Sequence, residues 1–294
     1  MGTYEHLLYE QHDNVLVITL NRPEHMNALS PQLEGEIYEA LDQAAEDDTI
    51  RSIIITGAGK AFSAGYDMLA IDDWRAAGED TTRATLKGWY RLDGANGDRM
   101  MSIMRHPKPI IAAVNGWCLG GAFWIALASD ITNSSDLAVY GQPETRQISN
   151  TSFLMALLAG WKHTHRYALT GDHFDAQEAE RIGIINEVVP HDELLDRSMA
   201  LAKRLALVPA DSVRYNKWIT TYGLEAMGLR AALNVNGVLS TMSHSSRDAP
   251  EVAHFYEDRK SKDLRGFLEK RDGPFLPEPF GPKSKAKPKT DDVN

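Results

Sequence analysis

Two stretches of the chain carry an apolar, β-branched run straight into a cluster of glycines. One is "RSIIITGAGKAFSAGYDM" (residues 51–68) and the other is "PIIAAVNGWCLGGAFWIALASD" (109–130). A short continuous apolar run bounded by glycine reads as a buried strand, and glycine allows the abrupt change of direction that follows it. In the second stretch the glycines open a uniformly apolar segment with the character of a buried helix. Strand followed by helix followed by strand requires parallel pairing with crossover connections, so the chain is read as α/β.

The flanking sequence fits that frame. "HLLYEQ" and "NVLVITL" bracket the turn residues "HDN" and predict a β-hairpin. Ser30-Pro31 supplies an N-cap and a first-turn proline, and Leu33, Ile37, Leu41 and Ala44 follow at helical spacing. Residues 69–107 are polar and read as helical, with a break at "GANGD". From "DAQEAERIG" onward the pattern is mostly helical, and "HDELLDRSMALAKRLAL" puts Leu194, Leu195, Met199, Ala202 and Leu205 on one stripe. The last twenty-one residues hold five prolines and a lysine-rich run and read as disordered. No internal repeat is visible. The division expected is a core over 1–190, a helical region over 191–275 and a disordered tail over 276–294.

Charge and composition limit the partners. A net charge of −10 argues against nucleic acid, and the single cysteine, Cys118, rules out an intramolecular disulfide or a cysteine-rich metal site. No apolar run approaches the ~18 residues of a membrane span, and the N-terminus lacks a signal-peptide layout. The expectation is a cytoplasmic protein without metal or membrane contact.

The glycine clusters need a ligand. A phosphate-binding Walker loop fails, because Gly59-Lys60 is followed by Ala61 and Ile54 stands where the first glycine belongs. A dinucleotide fingerprint fails at Phe62, in the place of the third glycine. Two loops that each end a strand can instead aim backbone N–H groups at one point, and a helix starting near Gly120-Gly121 adds its positive end there. Such an arrangement suits an anion that forms during a reaction.

The segments "GAGKAFSAGYDM", "VNGWCLGGAFWIALASDI", "GQPE" and "LTGDHFDAQEAERIGIINEVVP" resemble, in order, the core motifs of the crotonase superfamily, the enoyl-CoA hydratases and isomerases. "NRPEHMNAL" and "LRGFLEKRDGPF" resemble its flanking signatures, so the likeness runs from about residue 4 to about residue 275. The resemblance implies a crotonase-like ββα superhelix with a C-terminal helical oligomerisation region, assembled as a homotrimer or a dimer of trimers. It implies an acyl-CoA thioester as substrate, with coenzyme A part of that substrate and no separate cofactor. It places the enolate oxygen on the backbone N–H groups of Tyr66 and Gly121. A fixed donor of that kind is worth roughly 3–4 kcal/mol of barrier.

Hydratases of the superfamily use two glutamates. The one in "GQPE" is Glu144; the helix position of the other is occupied by Trp124. Adding water needs two groups that hold and protonate it, whereas shifting a double bond needs one base that removes and returns a proton. The resemblance therefore leans to isomerase-like chemistry, with hydratase, lyase and thioester-hydrolase activities and a non-catalytic acyl-CoA-binding scaffold as rivals. Trp124 is open to two readings, a core aromatic or a pocket wall whose indole N–H meets a substrate oxygen. Glu144 is likewise open to a role as an acid paired with Arg146, two residues on.

After "GQPE" the family's glycine- and proline-rich continuation is replaced by "TRQISNTSFLMALLAG", which puts the acyl group in doubt. Ser149, Asn150, Thr151 and Ser152 there read first as helix caps. By resemblance, Arg22 and either Lys270 or Arg271 would meet the coenzyme A phosphates, and Ala61, Ala64, Asp67 and Met68 would lie along its adenine end. As residues alone, His163 and His165 read as surface groups, and Asp130 and Asp136 as capping or turn aspartates.

Overall fold

The expected hairpin is formed by β1 (Leu7–His12) and β2 (Val15–Leu20), which pair antiparallel from Leu7 opposite Leu20 to His12 opposite Val15. Asp13 turns the chain with a φ of 55°, a left-handed conformation that Asp tolerates better than most residues. A computed structural model describes residues 4–68, 90, 93–148, 151–245, 264–279 and 281. After the hairpin, Ser30 caps helix α1 (Pro31–Glu46), its hydroxyl accepting from the Leu33 N–H, and Leu33, Ile37, Leu41 and Ala44 are all buried.

From there the chain repeats one move. It lays a strand in a six-stranded sheet, turns a corner, and lays a short strand in a four-stranded one. The pairs are β3 (Ser52–Gly57) with β4 (Ala61–Ser63), β5 (Ile110–Val114) with β6 (Trp117–Leu119), and β7 (Ile131–Ser135) with β8 (Val139–Gly141). Helix α2 (Asn96–Arg105) precedes the second pair. Helices α3 (Gly121–Ala128) and α4 (Phe153–Ala168) follow the second and third. The large sheet has the order β1-β2-β3-β5-β7-β10 and the small one β4-β6-β8-β9, where β9 is Phe174–Asp175 and β10 is Glu187–Val189. The β2-β3, β3-β5, β5-β7 and β7-β10 contacts are parallel, as are β4-β6 and β6-β8. This is the ββα superhelix, a repeat of topology with no repeat of sequence. Two of its corners admit only glycine, since a Cβ on Gly57 would fall 2.1 Å from the Ala61 carbonyl oxygen and one on Gly116 2.1 Å from that of Lys60.

The inner strands of the large sheet are buried on both faces, which is why β2, β3 and β5 read as nearly continuous apolar runs. Leu16, Ile18, Leu20, Ile53 and Ile55 point to the main core, and Val15, Val17, Ile54, Ile111 and Ala113 to a second one. After the short helix α5 (Ala176–Arg181), helix α6 (Leu194–Ala206) closes the second core. Leu194 and Ala202 are buried there, and Met199 and Leu205 pack against them. Leu195, predicted on the same stripe, is 48% exposed, and Leu201 packs in its stead. Each fully buried Leu or Ile contributes about 1.5–3 kcal/mol.

Helices α7 (Ala210–Ala226), α8 (Leu229–Ser245) and α9 (Leu264–Asp272) follow α6 within residues 191–275. The helix predicted over 69–107 lies outside the described residues up to 89, and Asn96–Arg105 is helical after a turn at Gly94-Ala95. The disorder expected from residue 276 does not begin there. Glu278 is buried and accepts from Arg146 and His173, because a buried guanidinium inside the fold draws this carboxylate in.

Candidate active site

The register of the small sheet brings the site together. Leu119, the last residue of β6, pairs with Gly141, the last of β8, so the segments that leave these strands emerge side by side. The Gly120 N–H donates to the Gly141 carbonyl (3.1 Å). Gly120 then adopts φ 53° and ψ −124°, a conformation that requires glycine, and Gly121 starts α3. Beyond β8, Gln142 leads into a 3₁₀ turn, Pro143–Arg146, that carries Glu144. The Glu144 carboxylate lies directly on the glycine corner: a Cβ on Gly120 would fall 2.6 Å from its Oε1.

The corner after β4 closes on the same point. A Cβ on Gly65 would fall 2.7 Å from the Leu119 carbonyl oxygen and 3.4 Å from the Gly120 Cα, and one on Gly121 would fall 2.7 Å from the Tyr66 ring. Leu29 donates to the Gly65 carbonyl (2.8 Å) and accepts from the Asp67 N–H (2.9 Å). This parallel bridge uses the residues on either side of Tyr66 and turns the Tyr66 N–H to the opposite side. The Gly121 N–H, at the first position of α3, has no acceptor among the described residues. Two glycine corners and one carboxylate, predicted from separate parts of the sequence, are thus in contact.

Trp124 stands one turn into α3, 5% exposed, with its ring edge-on to Tyr66 at 6.4 Å between centroids. Its indole Nε1 is buried without a hydrogen-bond partner among the described residues. Behind Tyr66 lies a polar group that the sequence did not announce. The Tyr66 phenol meets Glu34 Oε1 and Asn96 Oδ1, each at 3.2 Å, and Arg99 pairs with Glu34 at 3.1 Å. Burial, with the Glu34 charge beside it, pushes the phenol well above the ordinary tyrosine range, so it remains a neutral donor. Glu34 passes for a solvated first-turn acid on α1. Its one signal was position, since 34, 37 and 41 share the buried face of that helix.

Arg146 does not pair with Glu144. Its guanidinium is buried and meets Glu278 (2.6 Å), Asp272 (3.0 Å) and Asp172 (3.3 Å), donates from Nε to the Thr170 carbonyl (3.0 Å), and lies 4.2 Å from the Phe275 ring centroid. The turn carrying Glu144 is thereby clamped to the C-terminal segment.

Arg22, Ala61, Ala64, Asp67 and Arg271, predicted along coenzyme A, have partners inside the fold. Arg22 is paired with Asp67 at 3.1 Å and donates to the Ala28 carbonyl, tying the first glycine loop to the chain before α1. The Ala61 carbonyl accepts from Asn27 Nδ2 (2.8 Å) and the Ala64 N–H donates to the Met26 carbonyl (3.0 Å). Met68 is half-buried at the end of the described loop, Lys270 is exposed on α9, and Arg271 is buried against Asp272.

Of the weaker candidates, Ser152 caps α4, accepting from the Leu154 N–H (3.2 Å), whereas Ser149 and Asn150 lie outside the described residues. Asp130 holds Lys217 (2.6 Å) and the Ile110 N–H (2.8 Å), a structural role that docks α7 on the sheet. Asp136 is exposed and accepts from Ser135 Oγ at 3.4 Å. His163 is half-buried on α4, and His165 stacks on Trp161 with centroids 3.9 Å apart. Cys118 is buried, which pushes its thiol well up. Among the described residues no helix is long and apolar enough to cross a membrane.

The chain is similar in sequence and fold to known proteins. The family model for enoyl-CoA hydratase/isomerase matches residues 10–276. A protein named probable enoyl-CoA hydratase EchA12, from Mycobacterium tuberculosis, is 34% identical over 75% of this chain and 78% of its own length. A protein named mevalonyl-coenzyme A hydratase, from Aspergillus fumigatus, is 31% identical over 90% of this chain and 92% of its own. The crystal structure of an enoyl-CoA hydratase/isomerase from Xanthobacter autotrophicus superposes with a TM-score of 0.85 at 33% identity. It covers 93% of this chain and 99% of that one.

Proposed function

The chain belongs to the enoyl-CoA hydratase/isomerase family, and from that premise we propose that it moves a proton on an acyl-CoA thioester with Glu144 as the base. The enolate oxygen that forms is held by the N–H groups of Tyr66 and Gly121. The observation that carries this reading is the Glu144 carboxylate lying on the Gly120 backbone, beside the Gly121 N–H, which has no acceptor among the described residues. Taking a proton from a carbon next to a thioester drives charge onto the carbonyl oxygen, and a fixed amide aimed at that oxygen lowers the barrier without reorganising.

The preferred reaction is a double-bond shift. Where a hydratase of the family carries its second acid, this chain has Trp124. Glu34, behind the Tyr66 ring, is already held by Arg99 and the Tyr66 phenol. One base suffices to remove a proton from one carbon and return it to another. Exposed apolar side chains on and beside the C-terminal helices, such as Leu207 (84%) and Met227 (85%), support assembly into a trimer or a dimer of trimers, which a light-scattering mass would decide.

The reading is tested in D2O with an enoyl thioester, wild type against Glu144→Gln. The wild type is expected to return substrate deuterated at the α or γ carbon. The variant should bind the thioester while turnover falls ~10²–10⁴-fold, the usual contribution of a general base. Unchanged turnover in the variant removes Glu144 from the role. Accumulation of free acid and coenzyme A without exchange would make the enzyme a hydrolase.

A further inference from the structure

A buried indole N–H is almost always given an acceptor, because water has been removed and nothing else compensates it. Trp218 follows that rule and donates to the Arg105 carbonyl at 2.8 Å. Trp124 does not: its Nε1 is buried among the described residues with no acceptor at all. If the position served packing alone, an apolar side chain would fill it without that cost. The orphan donor also stands beside the site. Its ring meets the Tyr66 ring edge-on, the Tyr66 ring covers Gly121, and its own main-chain N–H bonds back to the Gly120 carbonyl (3.2 Å).

We propose that Trp124 is a specificity-determining residue, and that its indole N–H receives a neutral oxygen, a hydroxyl or a ketone, carried on the acyl chain of the substrate. The inference rests on the reading of the site as an acyl-CoA site and names the class of acyl group. Three residues of helix separate Gly121 from Trp124, about 4.5 Å along the axis, so the oxygen sits a few bonds beyond the thioester carbonyl. A carboxylate is a poor occupant. The indole is an uncharged donor, Glu144 is close by, and the neighbouring cation Arg99 is already engaged by Glu34 and Asn96.

The experiment compares matched pairs of enoyl-CoA thioesters, with and without a hydroxyl or keto oxygen on the acyl chain, in the wild type and in Trp124→Phe. The wild type should favour the oxygenated member by about tenfold in kcat/KM, and the ratio should fall towards one in the variant. A contact made equally in the ground state and the transition state should show its loss chiefly as a raised KM for the oxygenated ester. A second arm needs no change at position 124. The indole ¹⁵N–¹H resonance of Trp124, assigned by elimination with Phe at each other tryptophan in turn, should shift on binding a saturated oxygenated acyl-CoA. It should stay in place with the plain one. Equal ratios in both proteins, or a resonance indifferent to the oxygen, overturn the inference while leaving Glu144-dependent turnover intact. If neither ester binds and no turnover depends on Glu144, the acyl-CoA reading itself fails and takes the inference with it.

Discussion

Glu144 and Arg146 stand two residues apart in one 3₁₀ turn, and their surroundings are opposites. Arg146, with a side chain 1% exposed, is met by three carboxylates, a carbonyl and an aromatic face. Glu144 lies on bare glycine backbone. The nearby N–H groups of Gly121 and of the Trp124 indole have no acceptor among the described residues. The Arg146 end of the turn is held by the fold, and the Glu144 end faces donors of α3 that have no acceptor among the described residues. The contrast teaches that the same short turn is fixed from one side so that it can act from the other, with positioning and chemistry divided between neighbouring residues.

The largest effect should come from breaking the fixed side. Arg146→Met removes the cation and leaves Asp172, Asp272 and Glu278 facing one another in a buried space. Removing one partner from a buried ion cluster typically costs about 3–5 kcal/mol. Urea unfolding should show that loss, and limited proteolysis should cut first within residues 264–281. Turnover should fall with it, since the turn that bears Glu144 loses its anchor. A variant of wild-type stability and rate would show that the clamp does not hold the site.

A smaller effect sharpens the other side. Gly120→Ala must adopt a φ near 53° and place a Cβ 2.6 Å from the Glu144 carboxylate. Strain of this kind costs of order 1–3 kcal/mol. If relief comes by displacing the carboxylate, turnover drops by roughly 10–100-fold while thioester binding persists. Loss of binding with turnover per bound substrate preserved would mean that the corner serves affinity only.

Much of this was legible in the sequence, for reasons that differ by element. The β-branched run at Ile53–Ile55 and the apolar run at Ile110–Val114 announce buried strands because a sheet covered on both faces has no need of polar alternation. Glycines 57, 65, 116, 120 and 121 mark places where the main chain is closely approached by backbone, a ring or a carboxylate, so residue type alone records the contact. Side-chain pairing was not legible, because partners far apart in the chain leave no local trace. Arg146 was weighed against Glu144, its neighbour, and in fact bonds residues more than a hundred positions away. Arg22 was weighed as a phosphate ligand and is neutralised by Asp67. Glu34 went unnoticed because an acid in a first helical turn is the commonest of surface features.

The smallest effect is also the most specific, and it concerns the sign of the clamp's response to acid. Burial alone would raise Glu278, but the contacts from His173 and Arg146 outweigh it and leave the carboxyl below its ordinary 4.5. Asp272 is likewise raised by burial and brought below 3.8 by Arg271 and Arg146. A carboxyl whose folded value lies below its unfolded one contributes stability that is complete above the unfolded value and disappears as the pH falls through the folded one. The contribution of these two carboxyls should therefore be complete above about pH 4.5 and weaken as the pH falls below it. Glu278→Gln keeps the shape and removes the charge. It should cost on the order of 1–2 kcal/mol near neutrality, and this deficit should shrink as wild type and variant are compared at successively lower pH. A gap that stays constant down to pH 3 would mean that the carboxyl acts as a neutral hydrogen-bond acceptor. In that case the fixed side of the turn would be held by shape and hydrogen bonds, and its contrast with Glu144 would be one of packing instead of charge.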